Sequence, residues 1–229
     1  MERGIPRIGL WTMAVLAVLV ALMSLRYYAV PAGLWLGIGP EIKGVIQRVP
    51  LQALGHMLIA PFALLLGPFQ FMPRLRARYP RAHRISGRIY VAACFISGIS
   101  ALATAPYASG GPIAGLGFGT LAVCWLAVTA GAWRAAVQRD FALHRLLMRF
   151  SYAMTFGAVT LRLQMPLFFV MGFHSYGAAS VWLAYTSWIP NVILVGLYSM
   201  LEALRRGNPT FPQNDITEHN QEVMTVSAT

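Results

Sequence analysis

Residues 74–88 read Arg74-Leu75-Arg76-Ala77-Arg78-Tyr79-Pro80-Arg81-Ala82-His83-Arg84-Ile85-Ser86-Gly87-Arg88, with six arginines among them. Apolar runs flank the stretch on both sides, from Leu51 to Phe71 and from Ile89 to Ala105. A bilayer core of about 30 Å takes about 20 helical residues to cross, so both runs are near membrane length. An arginine cluster joining two such runs reads as a short cytoplasmic loop. That reading extends along the chain. Segments of about 8–30, 50–72, 87–107, 113–133, 148–172 and 179–201 each qualify as a span. The expected fold is an all-α polytopic membrane bundle of six transmembrane helices. The sixth span contains Pro190-Asn191, where a bend is expected.

Composition agrees. Hydrophobic residues make up 57% of the chain and charged residues 11%, whereas soluble domains carry roughly 25% charged residues. A soluble fold could not cover its surface with so few, and the apolar content excludes global disorder. The formal net charge of +11 brings nucleic acid to mind. However, 17 of the 18 basic residues are Arg, in short clusters between apolar runs. They read as topology, so no nucleic-acid partner is expected; the lipid bilayer is. Fourteen basic residues fall on one side of a six-span chain and only Arg26, Lys43 and Arg48 on the other. Both termini are therefore expected in the cytoplasm, with the chain in a bacterial inner membrane. The polar residues 202–229 are expected to form a disordered tail after a membrane domain of residues 1–201. The N-terminus resembles a signal peptide but lacks a small-x-small cleavage site, so it reads as an uncleaved first span. Cys94 and Cys124 fall inside apolar runs and read as small buried hydrophobes.

Two segments share a motif. His83-Arg84-Ile85-Ser86-Gly87-Arg88 and His144-Arg145-Leu146-Leu147-Met148-Arg149 are both H-R-x-x-x-R, 61 residues apart, and each enters a span from the same side. Spans two-three and four-five thus read as a tandem pair of hairpins related by an axis along the membrane normal. In each copy the arginines are four apart and share a helix face. If spans three and five are neighbours, His83, His144, Arg84, Arg88, Arg145 and Arg149 form one collar. Arginines are required there by topology alone. Histidine adds little to topology and is by chemistry a ligand or proton carrier.

Two more polar residues stand at membrane depth. His56 is expected about 9 Å below the outer surface, and Arg162 about 20 Å from the cytoplasmic side of a 30 Å core. The two are then level. A buried arginine costs a few kcal/mol and needs a partner, cavity or ligand. No carboxylate occurs in any span before Glu202. The nearby acceptors are Gln164 and the Arg162 carbonyl freed by Pro166. An anionic or electron-rich ligand fits this site. No Walker loop, dinucleotide fingerprint, nucleophile elbow or H-E-x-x-H occurs. With no acidic pair in the spans, carboxylate-driven cation coupling is disfavoured.

The run from His56 through Gly67-Pro68-Phe69-Gln70-Phe71, the two H-R-x-x-x-R motifs with Tyr90 and Ser151-Tyr152, and Thr160-Leu161-Arg162 resembles the bacterial membrane proteins of the family domain of unknown function 2306. That resemblance covers spans two to five and implies a multi-pass membrane protein without an established activity. The plan is also similar to the transmembrane cytochrome b electron carriers, with six helices and four His holding two haems. On that likeness His83 and His144 are haem iron ligands and His56 pairs with His174. Span four, however, has no His, and His83 and His144 lie at the interface. Three functions remain. One is membrane electron transfer by an oxidoreductase using haem b or a quinone, with cofactor sites at His83, His144, Arg84, Arg88, Arg145 and Arg149, and at His56 and Arg162. Another is binding or transport of an anionic or amphipathic small molecule or lipid. The third is a non-catalytic assembly subunit.

Overall fold

The computed structural model describes residues 7–205. Among them no strand occurs, and six helical stretches are long and apolar enough to cross a bilayer: Ile8–Ala32, Pro50–Gln70, Pro80–Tyr107, Gly111–Val137, Phe141–Val170 and Tyr176–Leu204. The expected six-span all-helical bundle is what the chain forms.

The first span is α1 (Arg7–Ser24), continued by a 3-10 turn segment over Leu25–Ala32. A short helix α2 (Pro40–Arg48) precedes α3 (Pro50–Gln70). The arginine loop is itself mostly helical: α4 (Pro73–Arg78) leads into α5 (Pro80–Thr104). Then come α6 (Gly111–Val137), α7 (Phe141–Thr155), α8 (Gly157–Val170), α9 (Tyr176–Thr186) and α10 (Ile189–Arg205). Spans three and five begin earlier than hydropathy alone places them. Helix formation does not stop at a polar turn when a start signal stands before it. Pro80 occupies the first helical position of α5, and the Asp140 carboxylate accepts the Leu143 N–H at 3.0 Å to cap α7.

Large apolar side chains point outward. Val18, Ile99, Leu116, Val123, Leu163 and Leu194 are all exposed, as lipid-facing residues must be. The inward faces carry small residues instead; Ala63, Ala114, Ala132, Ala179 and Ala184 are wholly buried. In lipid no hydrophobic force separates in from out, so small residues that admit close backbone approach make the contacts. Gly67 is the tightest: a Cβ there would lie 1.9 Å from the Tyr152 ring.

Spans five and six are each broken, and the breaks meet. The α7–α8 break at Phe156 and Gly157 lies against Ser187 and Trp188, where α9 gives way to α10. The sixth span therefore breaks before Pro190, which sits harmlessly in the first turn of α10. Asn191 fastens the pair, its Nδ2 donating to the Ala153 carbonyl at 3.2 Å, the Ser187 carbonyl at 3.1 Å and Thr160 Oγ1 at 2.9 Å. Helix α10 runs through Glu202, so the expected tail does not begin there; residues 206–229 lie outside the described residues.

The hairpin repeat is present in the backbone. The 61-residue offset carries the start of α3 at Pro50 onto the start of α6 at Gly111, and that of α5 at Pro80 onto that of α7 at Phe141. Helix α3 packs along α5, and α6 along α7. Tyr90 and Ser151 are 61 apart and hydrogen-bonded to each other at 2.9 Å. Equivalent residues meet in this way only near the axis relating the two hairpins.

Candidate functional site

The axis places the histidines. His83 and His144 each occupy the fourth position of their helix, and their backbone N–H groups donate to equivalent carbonyls, Tyr79 at 3.1 Å and Asp140 at 2.9 Å. Each stands seven residues before its axial partner, Tyr90 or Ser151. Seven residues are two turns, about 10 Å along the same helix face. His83 and His144 therefore stand at equivalent positions of α5 and α7, each two turns from the Tyr90–Ser151 bond, and the two rings lie within electrostatic range.

The two rings are held differently. His144 Nδ1–H donates to the Ala132 carbonyl at 2.9 Å. A carbonyl only accepts, so this bond fixes the proton on Nδ1 and leaves the Nε2 lone pair of the neutral ring free. His83 Nδ1 is buried with no hydrogen-bond partner. One turn along α5, Ser86 Oγ accepts from Gln70 Nε2 at 2.8 Å.

The arginines divide. Arg84 and Arg88 are exposed, and Arg76 and Arg84 lie within electrostatic range of His83. Arg145 is half-buried. Arg149, expected to neutralise a ligand, is already paired. Its guanidinium donates to Glu202 Oε2 at 2.6 Å and stacks 5.6 Å from the Tyr198 ring. Extension of α10 past the span end brings Glu202 there, which composition had assigned to a tail.

Between the two ends lies a buried hydroxyl cluster that sequence reasoning missed. Ser151 Oγ bonds both Tyr90 at 2.9 Å and Thr129 at 2.8 Å, and Tyr90 also bonds Thr155 at 3.1 Å. The Cys94 thiol joins this group, which is more than the inert packing assigned to it. The repeat offset held the signal, since it carries Tyr90 onto Ser151.

At the opposite end, His56 and Arg162 lie within electrostatic range of each other. Each is anchored on a carbonyl. His56 Nδ1–H donates to Ser97 O at 3.0 Å, and Arg162 donates to Ala158 O at 2.9 Å. Ser97 and Ala158 are again 61 residues apart. Gln164, expected to accept from Arg162, instead exchanges hydrogen bonds with Thr186, donating to its carbonyl at 3.1 Å and accepting from its hydroxyl at 3.0 Å. The neighbours of Arg162 are residues that sequence reasoning left aside: Tyr27, Arg26 and Tyr176. Glu41 approaches Tyr176 but spends its carboxylate on the Gly177 N–H, at 2.9 Å. Glu41 is the one acid between Arg3 and Arg139, a cue the sequence did contain. His174 stands exposed in the connection between α8 and α9, so His56 has a guanidinium rather than a second imidazole as its charged neighbour.

The described residues hold no group of three or more His, Cys, Asp or Glu suited to a bare metal ion. The chemistry available is that of two imidazoles within electrostatic range at one end and a donor-rich cation site at the other.

No curated protein and no solved structure matches the chain. The family described as predicted membrane protein, DUF2306, matches residues 53–199, which contain both His-Arg motifs, the hydroxyl cluster, His56 and Arg162. The chain belongs to that family of membrane proteins of unknown function.

Proposed function

We propose that this protein is a membrane electron carrier in which His83 and His144 hold one haem b between α5 and α7. The observation that supports this most is that the two histidines stand at equivalent positions of α5 and α7, within electrostatic range of each other. His144 Nδ1–H is tied to a carbonyl with Nε2 free, as ligating imidazoles usually are. His83 Nδ1 is buried and unsatisfied, a state that a structure tolerates poorly unless a partner is supplied. Haem supplies a one-electron iron centre. Held by both imidazoles, it would supply electron transfer rather than oxygen binding. Arg84 and Arg88 stand one turn apart on α5 where they would meet carboxylate side groups at the headgroup level. Arg149 serves the fold through Glu202 instead. In this reading the arginine-rich end faces the cytoplasm of a bacterial inner membrane, by the excess of arginine on that side.

An absorption spectrum of the detergent-solubilised protein, expressed with ample haem, tests this. We expect a Soret band that His83→Ala and His144→Ala each abolish while the variants still elute as folded protein. A colourless wild type, or a Soret band that survives both substitutions, overturns the haem assignment. Saturable binding of a quinone analogue by a colourless protein, lost in His83→Ala, would put a quinone carbonyl in its place, accepting from the otherwise unsatisfied Nδ1 of His83.

A further inference from the structure

The cation site at the end away from the collar is separate from the histidine pair and has chemistry of its own. A guanidinium carries five N–H donors. Arg162 uses one direction on Ala158 O, and among the described residues no carboxylate pairs with it. A second guanidinium, Arg26, lies within electrostatic range. Arg26 Nη1 donates to Gly37 O at 3.1 Å, while its Nε is buried without a partner. Two cations held near each other in a low-dielectric setting repel unless an anion lies between them. The one nearby carboxylate, Glu41, is turned to the Gly177 N–H and does not pair with either guanidinium. The phenols of Tyr27 and Tyr176 add hydroxyl donors on the same side as Arg162. The site is therefore rich in donors and short of an acceptor.

Its rim is apolar. Helices α1 and α8 pack together here, and Leu22, Leu25, Leu163 and Leu167 around the two arginines are more than half exposed, at 56%, 56%, 59% and 56%. A ligand whose anionic head enters between α1 and α8 would lay an apolar tail along those leucines, where the bilayer already lies.

We infer that Arg162 and Arg26, with Tyr27 and Tyr176, bind the carboxylate or phosphate head of an amphipathic molecule. The head accepts from both guanidinium groups and from the phenols, and the tail lies along the lipid-exposed leucines beside them. No bond is made or broken, and haem occupancy at the far end is not required.

The test uses the full chain in phosphatidylcholine nanodiscs and four probes: decanoate, dodecyl phosphate, decanol and inorganic phosphate. Saturable binding is expected for the first two only, and which binds tighter tells carboxylate from phosphate. Arg162→Gln should weaken it at least about tenfold, the loss of roughly one charge-assisted contact. Arg162→Lys should weaken it less, since it keeps the charge without the fork. If Arg162→Gln does not fold, Arg26→Gln and Tyr176→Phe carry the same prediction in smaller measure. Binding of decanol as tight as decanoate overturns the anionic head. Inorganic phosphate binding as tight as dodecyl phosphate overturns the tail. Absence of binding by either amphiphile, or binding unchanged in folded arginine variants, overturns the site.

Discussion

The hairpin of α3 and α5 and the hairpin of α6 and α7 begin their helices in the same register and fill them differently. Helix α5 starts on a proline at its first position, α7 on an aspartate cap. Where Gln70 reaches Ser86 in the first hairpin, Gly131 admits Leu147 in the second, with a Cβ built there 3.2 Å from its Cδ1. These are equivalent pairs, 61 residues apart, one polar and one apolar. Gly67 receives the Tyr152 ring from the other hairpin, while its counterpart Val128 presents a side chain. Against this divergence the His-Arg motif is the same in both. The difference teaches that helix starts and close crossings set the backbone register, and that side chains are free to differ wherever a crossing still closes. Identical side chains at the axis then call for a reason beyond packing.

The strongest way to break the comparison is at its tightest crossing. Gly67→Ala would set a Cβ 1.9 Å from the Tyr152 ring. That ring cannot swing away cheaply. Its hydroxyl donates to Leu64 O at 3.1 Å and its edge packs on Phe71 with centroids 5.6 Å apart. Overpacking of this kind costs about 1–3 kcal/mol or more. We expect the largest fall in melting temperature of any single substitution considered, by thermal unfolding in detergent. Val128→Ala, at the equivalent place, only leaves a void and should cost less. Equal melting of the two variants would mean the hairpins do not differ there.

A smaller effect tests the axis itself. Ser151→Ala removes the bonds of Ser151 to Tyr90 and Thr129, whereas Tyr90→Phe removes those of Tyr90 to Ser151 and Thr155 and leaves the Ser151–Thr129 bond in place. Each hydroxyl is worth about 1 kcal/mol or somewhat less in a membrane. Each substitution removes two of these bonds, so the two should lower the melting temperature by similar amounts. The double variant should lose less than the sum, since both substitutions remove the same bond. Strict additivity would show that the two residues do not meet, and with it would go the argument that His83 and His144 each stand two turns from a shared bond.

The spans, their order and the doubled motif were legible because each rests on local pattern: apolar runs of fixed length, arginine clusters, and a spacing of 61 residues. That His56 and Arg162 come near each other was foreshadowed by helical rise alone. What escaped the sequence depends on contacts between distant segments. Nothing local tells that Tyr27 and Tyr176, 149 residues apart, approach the same guanidinium. The pairing of Arg149 with Glu202 needed a helix to run on through polar residues, which hydropathy counts as an end. Likewise, the break near Phe156 carries no proline and packs its Gly157 against Trp188, whereas the break at Ser187 lies just before Pro190, where the sequence marked a bend.

The gentlest probe of the two hairpins is Gln70→Leu, which gives the first hairpin the apolar contact of the second. Gln70 is buried, and the substitution ends its donation to Ser86 Oγ. Ser86 loses no satisfaction, since its hydroxyl still donates to the Ala82 carbonyl at 2.8 Å. The leucine needs about the volume of the glutamine, and Gly87 beside it offers no side chain to clash with. The net cost is about 0.5 kcal/mol or less, a shift of about 1–2 °C for a chain of this size. Because His83 stands on the same turn as Ser86, a larger shift in the absorption of a bound haem than in the melting temperature would place Gln70 in the service of the histidine rather than of the fold. A melting temperature lowered as far as by Gly67→Ala would instead show that the polar contact holds the hairpin together, and that its two halves are built on different principles.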